Sequence, residues 1–189
     1  MTRRARKFRF NNRTGRLVVD DNEIVDSSGE LVVGGGAILQ VVNTLTSSRS
    51  TYTGTDAGTE ITPITTSITP SETTSKIWVT ITMFYEVHHN TAFRLYRGTT
   101  ALGRNTASTS RWSNTFASQY DNNQSSTPLS QTWTFLDSPN STSAQTYSLK
   151  VHRTTGTNQT LYLNRCVSSA GADAYEIGTS SMTLMEVAG

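Results

Sequence analysis

The residues able to do chemistry in the body of this chain are nine acids, three histidines and one cysteine, and their spacing decides little in favour of a reaction. Glycoside cleavage needs two carboxyl groups facing each other across roughly 5 to 10 Å. Asp56, Glu60, Glu72, Glu86, Asp121, Asp137, Asp173, Glu176 and Glu186 fall in no recognisable pairing. No catalytic residue and no cofactor are therefore expected, and the chain reads as a non-enzyme. His88 and His89 invite a metal reading, but adjacent residues on a strand point to opposite faces, so the pair does not chelate one ion from one chain. Three copies around an axis would be needed, and no metal site is assigned. His152 stands alone and is given no role. The single Cys166 rules out an internal disulfide framework and is expected to be a small buried hydrophobe, as suits a protein made in a reducing cytosol.

A second kind of chemistry is offered by "RRARKFRF". Residues 1–16 hold seven cations and no acid, which leaves the remainder of a +2 chain at −5. Basic residues interleaved with Phe8 and Phe10 are the footprint of phosphate contacts plus stacking. The acidic body and the absence of a nucleic-acid module in the sequence argue against that partner, since such an arm alone binds weakly, without specificity and with strong salt dependence. Arg3, Arg4, Arg6, Lys7, Phe8, Arg9 and Phe10 are expected instead to anchor the chain on an acidic protein surface. A third candidate is the stretch "SRWSNTFASQYDNN" (Ser110–Asn123). There Trp112, Phe116 and Tyr120 among Ser and Asn suit a receptor contact; the competing reading, that they fill the head or the trimer interface, is preferred.

What must position these groups is β-structure. Thr alone makes up 33 of the 189 residues, and with Ser the share is nearly a third; only 34% is hydrophobic. Short hydroxyl side chains compete with the helical backbone, whereas Thr fits a half-exposed strand. "KIWVTITMFYEV" (Lys76–Val87) alternates, with Ile77, Val79, Ile81, Met83 and Tyr85 on one face and Thr80, Thr82 and Glu86 on the other. "TAFRLYRG", "QTWTFLD", "TYSLKVHR", "TLYLNR" and "SMTLMEV" continue the pattern, with turn clusters such as "DNNQSSTP" between them. Many short strands at regular spacing indicate a sandwich or jelly roll. No apolar run approaches the ~20 residues of a membrane-spanning helix, and no apolar segment follows the basic N-terminus as in a secretory leader. No membrane role is expected.

Before the body, a phrase occurs twice: Thr14-Gly15-Arg16-Leu17-Val18-Val19 returns fourteen residues later as Ser28-Gly29-Glu30-Leu31-Val32-Val33. Each copy opens on a glycine turn, runs into a short apolar strand, then a polar or glycine turn, then a second short strand. Such strands are too short to bury a core alone and need neighbours. Two copies do not suffice along one chain, so the neighbours are expected to be other copies of the chain; two ordinary hairpins folded back on the body are the competing reading. The expected organisation is a basic arm (1–13), a two-repeat β stalk (14–39) and a β head (40–189). Leu17, Val19, Ile24, Leu31, Val33 and Ile38 would face inward in the stalk.

These segments carry two resemblances. The repeat is similar to the shaft of adenovirus and reovirus fibres, the triple β-spiral, in which three chains wind round one axis. Within the body, "AILQVVNTLTSSR", "ITTSITPSETTSKIWVTITMFY", "RLYRGTTALG" and "EIGTSSMTLMEVAG" occur in that order. Together they resemble the C-terminal head domain of tailed-phage structural proteins, especially those of marine and cyanobacterial phages. The likeness covers residues 38–189, and such heads look like the trimeric jelly rolls of the tumour-necrosis-factor and complement-C1q families. The resemblance implies a homotrimer, a contact surface rather than catalysis, and a place on the virion. A stubby spike with a basic arm suits a capsid decoration or cement protein gripping the major capsid protein. The alternative is a tail fibre on a tail adaptor or baseplate, meeting a host surface receptor.

Overall fold

The computed structural model describes residues 8–11, 16–19 and 22–25 as backbone, and residues 36–87, 91–105, 113–119, 126–154, 159–168 and 175–189 in full. The fold is all-β; one 3-10 turn, Thr62–Ile64, is the helical element among these residues. β1 (Phe8–Asn11), β2 (Arg16–Val19) and β3 (Asn22–Val25) form a three-stranded antiparallel meander. In it Phe8 and Phe10 stand opposite Val19 and Leu17, and Leu17 opposite Val25. The basic segment thus contributes a strand that pairs with the first repeat.

The remaining strands make two antiparallel sheets. The first holds β4 (Ile38–Thr46), β5 (Ser50–Gly54), β8 (Lys76–Val87), β12 (Leu129–Asp137), β14 (Gln159–Leu163) and β15 (Ser180–Val187). The second holds β6 (Thr59–Glu60), β7 (Thr66–Ile68), β9 (Ala92–Arg97), β10 (Thr100–Leu102), β11 (Phe116–Ala117) and β13 (Gln145–His152). β8 is the spine of the first sheet. One edge pairs with β12 from Leu129↔Tyr85 to Asp137↔Ile77. The other pairs first with β15, from Val187↔Lys76 to Ser181↔Thr82, and then with β14. β4 lies outside β15 and β5 outside β14. In the second sheet β9 and β13 are central, with β10 and β11 flanking β9, and β6 and β7 flanking β13.

The alternation of β8 explains why the sheets meet. Ile77, Val79, Ile81, Met83, Tyr85 and Val87 are all buried, and they share one cluster with Phe93 and Leu95 of β9 and Tyr147, Leu149 and Val151 of β13. Burying such side chains contributes about 1.5–3 kcal/mol each and drives the sheets together face to face, as in a β-sandwich. An aromatic group organises one end: Tyr85 meets Phe93 edge-on at 5.6 Å, while Phe116 stacks on Trp133 at 5.1 Å. Polar groups cross between the sheets as well. Asp137 Oδ2, at the end of β12, accepts from the Tyr147 hydroxyl at 2.7 Å and from Arg97 Nη1 at 2.5 Å. Burial, reinforced by that carboxylate, pushes the Tyr147 phenol far above its ordinary range.

Where β8 passes from β15 to β14, a seam must be closed, and buried Asn164 closes it. Its backbone takes the left-handed conformation (φ +58), which Asn tolerates better than other residues with a Cβ. Its Nδ2 donates to the carbonyls of Thr46 and Ser48 at 3.0 Å, its Oδ1 accepts from Ser180 Oγ at 2.6 Å, and its N–H donates to Phe84 O at 2.9 Å. Asn164→Ala strips three side-chain bonds from a dry site and leaves a Cβ residue with no polar side chain at positive φ. A loss of about 3 kcal/mol is expected in urea unfolding, and Asn164→Gly is expected to lose less because it keeps the backbone relaxed.

Candidate interaction surface

The outward residues of the first sheet form an unusual face. An antiparallel sheet with one wet side ordinarily places polar residues there. Along β4 the outward positions are Leu39, Val41, Asn43 and Leu45; along β15, Ser181, Thr183, Met185 and Val187; along β12, Ser130, Thr132, Thr134 and Leu136. β8 adds Lys76, Trp78, Thr80, Thr82 and Phe84. Register then assembles rows across the strands. Val41 stands opposite Met185, Met185 opposite Trp78, and Trp78 opposite Leu136, so one apolar row crosses the sheet from edge to edge. Val41 is 55% exposed, Trp78 43% and Leu136 51%. Ile38, Leu39 and Leu45, also exposed, extend the apolar area along β4.

The neighbouring rows are hydroxyl and amide groups that bond one another. Asn43 Nδ2 donates to Thr183 Oγ1 at 2.7 Å, Trp78 Nε1 to Thr80 Oγ1 at 3.1 Å, and the hydroxyls of Thr82 and Thr132 lie 3.0 Å apart. Charge is nearly absent. Of the outward positions on these four strands only Lys76, at the end of β8, and Glu86 are ionisable. Glu86 is buried, accepting from Thr127 Oγ1 at 3.1 Å and from the Val167 N–H at 2.8 Å. Depletion of charge around large apolar side chains is the composition of the centre of a protein–protein contact.

The other candidate residues fall as follows. Phe116 is half-buried on β11, stacked on Trp133 against the core; Trp112 and Tyr120 lie outside the described residues. So do Arg3, Arg4, Arg6, Lys7, Leu31, Val33, His88 and His89. Phe8, Arg9 and Phe10 lie on β1, Leu17 and Val19 on β2, and Ile24 on β3. Ile38 opens β4 and is 59% exposed, at the near end of the apolar area.

Cys166 is buried, its Sγ 3.4 Å from Glu176 Oε2 and 3.7 Å from Ser126 Oγ. Burial pushes its thiol up, which keeps it protonated and poorly nucleophilic. Among the described residues no group of three or more His, Cys, Asp or Glu gathers as a metal site, and no helix is long and apolar enough to cross a membrane.

Sequence reasoning passed over Trp78 and Leu136. The signal it had was that Trp78 and Phe84 interrupt the polar side of β8, where Thr80 and Thr82 follow the rule. Leu136 lies 58 residues away and joins Trp78 only through the β8–β12 register. No protein-family model matches the chain, and no curated protein matches it.

Proposed function

We propose that this chain is a non-enzymatic structural protein of a tailed-phage virion: a homotrimeric spike decorating the capsid, with a jelly-roll head and a basic arm that grips the shell. The observation that carries the reading is the uncharged apolar row Val41–Met185–Trp78–Leu136 on the open face of the first sheet. Left in water, four outward apolar strand positions in line, three of them exposed and Met185 half-buried between them, are an aggregation hazard; covered by further copies of the chain, they drive assembly. Because the row runs from β4 at one edge to β12 at the other, it presents two unlike patches. These patches meet head to tail in a closed ring, which is how a heterologous contact avoids an open fibre. Ile38, the last of the apolar repeat positions in the sequence, also opens β4, and in this reading stalk and head share one axis.

The jelly-roll reading is supported by the strand succession. The chain alternates between sheets at β8, β9, β12 and β13 and then returns through β14 and β15 to lie between β4 and β8. The shell-gripping role rests on the seven cations in residues 1–16. Three such arms on one trimer multiply a weak contact through effective concentration, and steer it towards an acidic surface.

Immunogold electron microscopy of purified particles with antibody against the head tests the reading. Gold spread over the capsid is expected. Deleting residues 1–13 is expected to strip the protein from the particle, and the stripped particles are expected to adsorb normally but burst more readily under heat or low salt. Gold confined to the tail would overturn the decoration role in favour of a host-attachment fibre.

A further inference from the structure

At the far end of the second sheet lies a site unrelated to the apolar row. His152, the last residue of β13, is fully buried under the turn Thr55–Gly58 that joins β5 to β6. Its Nδ1 lies 3.2 Å from the Asp56 carbonyl, and its ring stacks with Tyr96 at 6.3 Å and 18°. Its Nε2 is buried and has no hydrogen-bond partner. Gly58, at φ +82, presses its backbone against the imidazole so closely that a Cβ there would overlap Nε2 and Cε1. The turn is pinned from outside by Arg153, whose guanidinium holds the Asp56 carboxylate and whose N–H donates to Thr55 O at 3.3 Å.

The charges facing the imidazole are of one sign. Arg94 on β9, Lys150 on β13 and Arg104 after β10 all act on it. Lys150 Nζ sits 4.5 Å over the Tyr96 ring that His152 also stacks on. Two acids are near. The Asp56 carboxylate is engaged by Arg153, and Glu60 on β6, opposite Lys150 in the register, accepts from Thr65 Oγ1 at 2.8 Å. No described acceptor is placed to receive a proton on Nε2. An imidazolium would be desolvated, unpaired and surrounded by cations, and the cheapest relief is to lift the turn that covers it.

We propose that the Thr55–Gly58 turn is an acid-released latch: protonation of His152 opens the turn and frees β6 from β13 while the sandwich core stays folded. The hinge chemistry is local: β6 pairs with β13 at Lys150↔Glu60 and Val151↔Thr59, the turn bridges His152 at Thr55, and the Ile61 N–H, bonded to Leu149 O at 2.9 Å, marks where the released segment ends. Burial and the three cations hold the His152 pKa at about 4 in the closed form, against about 6.5 when hydrated in the open form. The sign follows. The open form binds the proton and the closed form does not, so opening becomes more favourable as pH falls from about 6.5 towards 4. Linkage then raises the open-to-closed ratio about thirtyfold between pH 7.5 and pH 5. Glu186 does not confuse the window. Its burial is outweighed by hydrogen bonds from Gln40 and Ser71, which keep its pKa at about 2, so its loss of stabilisation begins only below about pH 4.5.

The test is a nitrogen-15 NMR titration of the full chain from pH 7.5 to 4.5. The Gly58, Thr59 and Arg153 amides are expected to shift and broaden together, with core amides such as Ile81 and Leu149 unmoved. In His152→Phe, which keeps an aromatic ring under the turn and removes the proton site, that response is expected to vanish. Should the variant fold poorly, the wild-type His152 ring carbon shift decides alone. A midpoint near 6.5 with the turn amides unmoved, or turn amides that respond equally in His152→Phe, would overturn the latch.

Discussion

Trp78→Glu is expected to convert the assembled protein to a folded monomer, with the association constant per contact falling at least a thousandfold. Trp78 sits between Met185 and Leu136 in the row, so in the proposed trimer its ring is the large aromatic anchor at the centre of each contact. A carboxylate at that point would be taken out of water among Met185 and Leu136, with Lys76, two residues along the same face, as the one cation on these four outward strand faces, at a cost of several kcal/mol per contact, repeated around the ring. In the free chain the same position is 43% exposed and the Glu side chain reaches solvent, so the fold survives and the far-ultraviolet circular dichroism spectrum is expected to be unchanged. Thr100→Glu, at an exposed position on β10 of the second sheet, is the matched control. It adds the same charge on the other sheet and is expected to leave the assembled mass as it was.

The second large effect concerns the tie between the sheets. Asp137→Ala is expected to destabilise the chain by about 3–5 kcal/mol, read as a shift of the denaturant midpoint at unchanged slope. The carboxylate is nearly buried and serves both Arg97 Nη1 and the Tyr147 hydroxyl. Removing it strands a cation and a buried phenol at once, and stranded groups cost more than the pair they leave was worth. Arg97→Met in the same background is expected to recover part of the loss, because it removes the orphaned charge. A double-mutant cycle measures that coupling, and full additivity of the two changes would show that the pair does not act as a unit.

The all-β class and the main strands were legible because buried and wet positions alternate along them. Ile77 to Val87 on β8 reads directly from its period of two, and "QTWTFLD", "TYSLKVHR", "TLYLNR" and "SMTLMEV" fall on β12, β13, β14 and β15. The short strands β5, β6, β7 and β10 were not: in β5 and β7 Thr and Ser occupy both faces and erase the alternation, and β6 and β10, at two and three residues, are too short to show one. The apolar row was hidden for a different reason. Each strand gives it one or two side chains, and only the pairing register lines them up. His152 carried no sequence signal at all. What makes it informative is contact with Asp56, Gly58 and Tyr96, all more than 50 residues away in the chain. By contrast Cys166 was readable as a small buried residue, because a single cysteine forms no internal disulfide and otherwise behaves as a small hydrophobe.

The claim on which the account turns is that copies of this chain join through the open face of the first sheet. Light scattering coupled to gel filtration at micromolar concentration measures it most directly. The expected mass is about three times the 20.7 kDa chain, falling to one chain mass in Trp78→Glu. A wild-type mass of 20.7 kDa that does not rise with concentration, or a trimer that Trp78→Glu leaves intact, would contradict it.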